Sequence, residues 1–207
     1  VRSDVAAILF DEPLTVIDPQ VKFQLRRKLR QIHEEFAMTL VYVTHDQNEA
    51  LTLADKVAVM VDGQVVQLGT PQELFENPAH TFVGYFIGSP GMNLLDCQLQ
   101  GGVAQIGGMS LPLAHDTVRA ARSATGSLKL GIRPEFVHLT DQAEDGLLPA
   151  TVQAVEDLGN YKIVRVMLGS QEMAIKLPEE QSVPSEQAFV GFPPRWTKVY
   201  ADDRLVA

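Results

Sequence analysis

An α/β region followed by an all-β region is the organisation that this 207-residue sequence predicts. Three observations carry it. Two apolar runs, Ala6 to Phe10 and Thr39 to Thr44, each end in polar residues, as buried strands of a parallel sheet do. Helical periodicity fills the space between them, with Val21, Leu25, Leu29, Ile32 and Phe36 on one stripe of a helix over Gln20 to Phe36. After Gly88-Ser89-Pro90-Gly91 the pattern changes to short β-type runs broken by Gly, Pro and acidic turns. The boundary therefore falls between residues 1–87 and 88–207.

In the first region the order is strand Ala6 to Phe10, helix Gln20 to Phe36, strand Thr39 to Thr44, helix Gln47 to Ala54 and strand Val57 to Val61. Asp62-Gly63 is a hairpin turn that returns the chain as Gln64 to Leu68. Thr70 before Pro71 marks the start of a helix in TPQELFEN, and a further helix covers about His80 to Ile87. Arg26, Arg27, Lys28 and Arg30 oppose the apolar stripe of the long helix, which makes them a solvated face.

In the second region LLDCQLQ, VAQI, MSLPL, SLKLGI, PATVQAVEDL, YKIVRVML, EMAIKL, AFVGF and TKVYA are the strand candidates, with a short helix near Asp116 to Ala124. Many short strands at such spacing predict a small barrel or a barrel pair. Arg133 and Glu135 in GIRPE read either as a site for a small regulator or anion, or as an intradomain salt bridge or turn anchor. Phe192, Trp196 and Tyr200 recur every four residues, but Pro193 and Pro194 break a helix there, so strand and core positions are expected.

Composition narrows the function. The net charge of −9 and the lack of any basic tract beyond the Arg26 to Arg30 cluster argue against a nucleic-acid partner. The one cysteine, Cys97, excludes an internal disulfide, suits a reducing cytoplasm and reads as a small buried hydrophobe. No apolar run reaches the roughly 18 residues of a membrane span, so membrane association is expected through partner subunits.

The chemistry sits at the strand ends. In AAILFDEP, Asp11 and Glu12 emerge where open α/β sheets bind nucleotides. An Asp there suits Mg²⁺, and a Glu one residue on can polarise an attacking water; the plainer reading is an ordinary strand ending in a solvated acidic turn. His45 ends the second apolar strand with a helix start behind it, which separates it from an ordinary structural histidine.

ILFDEP, TVIDPQ and YVTHDQNEA together resemble the second half of the ATPase domain of ABC transporters, a P-loop fold with a mostly parallel sheet. The resemblance implies that Asp11 belongs to the Walker B strand and binds Mg²⁺ with ATP. It further implies that Glu12 is the hydrolytic glutamate, Asp18 the D-loop aspartate and His45 the switch histidine that contacts the γ-phosphate. The D-loop departs from the usual Ser, small residue, Leu, Asp: here it reads Thr15, Val16, Ile17, Asp18. Neither a G-x-x-x-x-G-K-[ST] loop nor an LSGGQ-type signature occurs. Both normally precede the DE strand in this family, and Val1 stands only a few residues before it, so the expectation is the later part of a longer protein, inactive on its own.

FIGSPGMNLL, LGIRPEFVHL and VEDLGNYKIVRV resemble the carboxy-terminal regulatory region, of OB-like (TOBE/MOP-type) barrels, in ATPases that drive carbohydrate and polyol importers. That implies a second ATPase subunit, identical or related, transmembrane permease subunits, an indirect solute-binding partner, and a place at the cytoplasmic face of the membrane. TVIDPQ and the tail FPPRWTKVYADDRLV are similar to glycerol-type importer ATPases, with sn-glycerol 3-phosphate and maltose systems as alternatives. A purely regulatory or dimerisation module is the competing class, against which intact Glu12 and His45 count. A soluble ABC ATPase of translation or DNA repair would need long inserts, heptads or a basic surface, and none is visible.

Overall fold

The computed structural model describes residues 7–15, 17–122 and 124–206; Ala6, Val16 and Ser123, which figure in the readings above, lie outside the described residues. Strand β1 is Ala7–Asp11, helix α1 is Pro19–Phe36 and strand β2 is Thr39–Val43. A parallel pair needs a long crossover, and α1 supplies it. Asp18 caps α1, its Oδ1 accepting from the Gln20 amide at 2.9 Å, and the helix ends at Ala37 in the left-handed conformation, φ 49°. Leu9 pairs with Val41 and Asp11 with Val43, so those four side chains share one face.

That face is open. Leu9 is 75% exposed and Val41 and Val43 are exposed with it, while Ile8, Phe10, Leu40 and Tyr42 on the other face are half-buried. The expectation of two fully buried strands is thus corrected: no described element covers the outer face. On α1 the expected apolar stripe is likewise only half covered, Leu29 and Ile32 being half-buried and Val21, Leu25 and Phe36 exposed.

Helix α2 is Gln47–Leu53, and β3, Val57–Val61, pairs antiparallel with β4, Gln64–Gly69. Asp62 and Gly63 both have positive φ, 48° and 77°, which makes the turn type I′ and matches the strand twist. Helix α3, Pro71–Glu76, opens with a full capping box between Thr70 and Glu73, and α4 is Thr81–Phe86. Val59, Leu74, Val83 and Ile87 form a small core beneath these elements.

The second region contains β5 (Asn93–Asp96), β6 (Gln98–Gln100), β7 (Val103–Ile106), β8 (Met109–Pro112), α5 (His115–Ala121) and β9 (Leu128–Ile132). Then follow β10 (His138–Thr140), β11 (Leu148–Asp157), β12 (Tyr161–Leu168), β13 (Gln171–Pro178), β14 (Gln187–Gly191), β15 (Lys198–Ala201) and β16 (Arg204–Leu205). They form a five-stranded sheet β10-β14-β11-β12-β13, a four-stranded sheet β16-β15-β9-β5 and a three-stranded sheet β6-β7-β8. One core serves all three: Leu95 and Leu130, Ile106 and Leu111, and Val164, Ile175 and Val190 belong to the same buried cluster. Cys97 is buried at its edge, between β5 and β6, which divides LLDCQLQ into two strands. No described helix is long and apolar enough to cross a membrane.

Arg133 joins the two regions. It is 1% exposed, and its guanidinium donates to the carbonyls of Phe75 (2.6 Å), Leu74 (3.3 Å), Gly84 (3.3 Å) and Ile87, at the C-terminal ends of α3 and α4. The Phe75 ring lies under it at 4.0 Å. GIRPE is therefore an anchor, and Glu135 pairs with Lys176 at 3.3 Å. Phe192 and Tyr200 are core residues as expected, but of the three only Tyr200 lies on a strand; Trp196, in a turn, is half-buried and stacks on Phe136 with centroids 4.0 Å apart. The chain end ties down α4: the Thr81 hydroxyl donates to Asp203 Oδ1 at 2.7 Å and the Leu205 amide to Ala79 O at 3.0 Å.

Candidate functional site

The parallel register sets the site. With Asp11 beside Val43, the residues that follow each strand, Glu12 and then Thr44 and His45, leave the sheet at the same end. Glu12 extends the ladder by one hydrogen bond, its amide to Val43 O at 2.9 Å, and then turns with φ 44°. The chain thus reverses at Glu12, one residue before Pro13. Thr15 Oγ1 lies within donating distance of Glu12 O at 3.0 Å and of Glu12 Oε2 at 3.2 Å.

His45 Nδ1 stands 2.9 Å from Glu12 Oε1. A carboxylate only accepts, so Nδ1 carries the proton. The contact shifts both groups in the direction of charge. The hydrogen bond to His45 holds the Glu12 carboxyl below its usual value, and the same bond from Glu12 holds the imidazole above its own. Both side chains are open to solvent, 43% and 67% exposed, as groups that meet a ligand must be. Near neutral pH the arrangement offers an ionised carboxylate, oriented by a hydroxyl and an imidazole, with a second carboxylate, Asp11, one residue away and also exposed.

Beneath His45 lies a group that sequence reasoning passed over. Glu49, in the first turn of α2, is 2% exposed. Its Oε2 accepts from the Tyr42 hydroxyl and the Thr44 hydroxyl, both at 2.9 Å, and its Oε1 pairs with Lys22 of α1 at 3.3 Å. Burial first, and the Glu49 carboxylate next, push the Tyr42 hydroxyl well above the phenol range. Thr44 Oγ1 also accepts from the Asp46 amide at 3.0 Å, and Asp46 Oδ1 caps α2 through the amides of Asn48 (2.8 Å) and Glu49 (3.3 Å). The three residues centred on His45 are thus held from below. The usable signal was the alternation of Tyr42 and Thr44 on one strand face with an acidic residue one helical turn beyond.

Asp18 is apart from this cluster; its side chain is engaged as the α1 cap. Among the described residues no three His, Cys, Asp or Glu side chains cluster as an all-protein metal site. Mg²⁺ bound with a nucleotide does not need one: it takes one or two carboxylates and completes its shell with phosphates and water. Asp11 fits that habit, whereas the sequence holds no Gly-rich loop to cradle the phosphates.

Known proteins resemble this chain throughout most of its length. Residues 88–137 match the family model for the MalK OB fold domain and residues 130–199 that for the TOBE domain, so the two overlap over 130–137, the end of β9 and the GIRPE anchor. The chain is thus similar to import ATP-binding proteins, and its β region is similar to the MalK OB fold and TOBE domains. Among its relatives is the sn-glycerol-3-phosphate import ATP-binding protein UgpC of Salmonella choleraesuis (strain SC-B67), 43% identical over 180 residues, 85% of this chain and 49% of that protein. UgpC of Escherichia coli (strain K12) is 40% identical over 181 residues, 86% of this chain and 50% of that protein. The chain spans about half the length of the curated relatives it matches. The molybdate-binding protein ModG overlays 53% of this chain and 95% of its own at 14% identity and a TM-score of 0.42, too distant to speak for ligands.

Proposed function

We propose that this chain is the later part of an ATP-hydrolysing importer subunit, with residues 1–87 completing an ATPase domain and residues 88–207 forming a regulatory domain. The observation that carries the reading is the 2.9 Å contact between Glu12 and His45 at the common end of two parallel strands. In this reading Glu12 is the general base toward the attacking water, His45 contacts the γ-phosphate through Nε2, the ring nitrogen that Glu12 leaves free, and Asp11 holds Mg²⁺ with ATP. Asp18 serves from the start of α1, across a pair of such subunits. The relatives' names favour sn-glycerol 3-phosphate as the imported solute, with other polyols and carbohydrates behind it. The partners are a second ATPase subunit, permease subunits that place the protein at the cytoplasmic face of the membrane, and a solute-binding protein acting through them.

Hydrolysis by the full-length protein carrying this chain tests the reading. Glu12→Gln keeps the shape of the side chain and loses its basicity, so Mg-ATP binding should persist while kcat falls roughly 10²-fold or more. Turnover near wild type would remove Glu12 from the role of base and favour the regulatory-module reading.

A further inference from the structure

Gln47 is the first residue of α2 and stands two residues beyond His45, yet its side chain leaves the site and grips the start of the β region. Its Oε1 accepts from the Gly88 amide at 2.7 Å and its Nε2 donates to the Gly88 carbonyl at 3.3 Å. A side-chain amide that satisfies both polar groups of one residue fixes that residue in position and orientation. Gly88 has φ 114°, and a Cβ there would lie 2.8 Å from Arg133 Nη1 and 3.2 Å from Pro90 O. The junction is thus held by Gln47 on one side and Arg133 on the other, with Arg133 also bound to the preceding carbonyl, Ile87 O. At the other end of the connection, Thr44, Asp46 and Glu49 are hydrogen-bonded to one another, so His45 and Gln47 move with the start of α2.

We propose that Gln47 is a positioning residue: by clamping Gly88 it makes the placement of His45 depend on the β region, and carries a displacement of either to the other. Its meaning for hydrolysis rests on the function proposed above; the clamp itself does not.

Nuclear magnetic resonance of this 207-residue chain without nucleotide tests it. In Gln47→Ala, exchange of the Gly88 amide should quicken roughly tenfold, and the His45 ring signals should move toward those of a free histidine as its contact with Glu12 loosens. Gln47→Glu keeps an acceptor for the Gly88 amide but sets a carboxylate against the Gly88 carbonyl, and should show the same two changes. Gln105→Ala, which breaks a side-chain pair with Ser110 on the distant β7-β8 hairpin, should show neither. Faster Gly88 exchange with His45 unmoved would reduce Gln47 to a local strut and overturn the proposal. Unchanged Gly88 exchange would overturn it as well, and so would loss of the fold in both Gln47 variants, since the residue would then be structural. A normal kcat in the Glu12→Gln protein would sink the functional reading and leave this result standing.

Discussion

His45 Nδ1 and Glu12 Oε1 lie 2.9 Å apart although 33 residues separate them, because β1 and β2 run parallel and in register up to Asp11 and Val43. The pair is at full strength when the carboxyl is ionised and the ring protonated. Glu12 is held below 4.5, so its share of stability is present above 4.5 and lost as the pH falls through its lowered value. His45 is held above 6.5, so its share is present below 6.5 and lost as the pH rises through its raised value. The difference in melting temperature between wild type and His45→Ala should therefore be greatest at about pH 5.5 and shrink by about pH 8.5. Titration of the His45 ring should give a pKa above that of a free histidine, and Glu12→Gln should bring it down; a ring that titrates identically in both proteins would show that the contact is not formed in solution.

Arg133 should be among the most costly positions to change. Burial holds its pKa down, to about 10, against the opposing influence of Glu135, so it is charged at neutral pH and needs all of its carbonyl partners. Arg133→Met would orphan the carbonyls of Leu74, Phe75 and Ile87, while that of Gly84 would keep the Met92 amide at 2.9 Å. A loss of about 3 kcal/mol or more is expected, read by urea unfolding. Arg133→Lys should recover only part of it, because one ammonium cannot replace a planar fork that reaches two helix ends. Equal stability of the lysine variant and wild type would show that charge alone matters there.

Ala37 ends α1 with φ 49° and ψ 37°, where glycine is the usual residue. Ala37→Gly relieves the Cβ strain of that conformation and gives back some chain entropy, leaving a net gain of about 0.5–1 kcal/mol. Thermal melting should rise; an unchanged or lower midpoint would mean that the left-handed cap is not kept in solution.

Local signals were legible where the chemistry was local. Asp62-Gly63 specified its hairpin, Thr70 its helix start, and the strand ends marked Glu12 and His45 as candidates that the structure brings together. Burial was not legible, because the cover over a strand is a property of other elements: Leu9 and Val41 read as core and stand in solvent. Glu49 was missed for the converse reason, since a glutamate in a first helical turn looks like an ordinary complement to the helix dipole until Tyr42, Thr44 and Lys22 converge on it. Strands β10 and β16, of three and two residues, are too short to show a period. Arg133 read as an anchor or an anion site, and only the carbonyls of α3 and α4 decide between them.

Cys97 provides a test of the β-region core that needs no mutation. Its thiol is buried at the edge of the core, and burial, reinforced by the Asp96 carboxylate, pushes its pKa up to about 11. At pH 8 the thiolate would be roughly a thousandth of the population, whereas a free cysteine, with a pKa of about 8.5, is ionised to roughly a quarter. The ratio alone slows alkylation by roughly 10²-fold, and steric cover slows it further. Iodoacetamide at pH 8 should thus leave the native chain unmodified over a period that fully labels it in urea. Mass spectrometry reads the result directly. Comparable labelling in the two states would place Cys97 outside the core and undo the packing of β5 and β6 against β9.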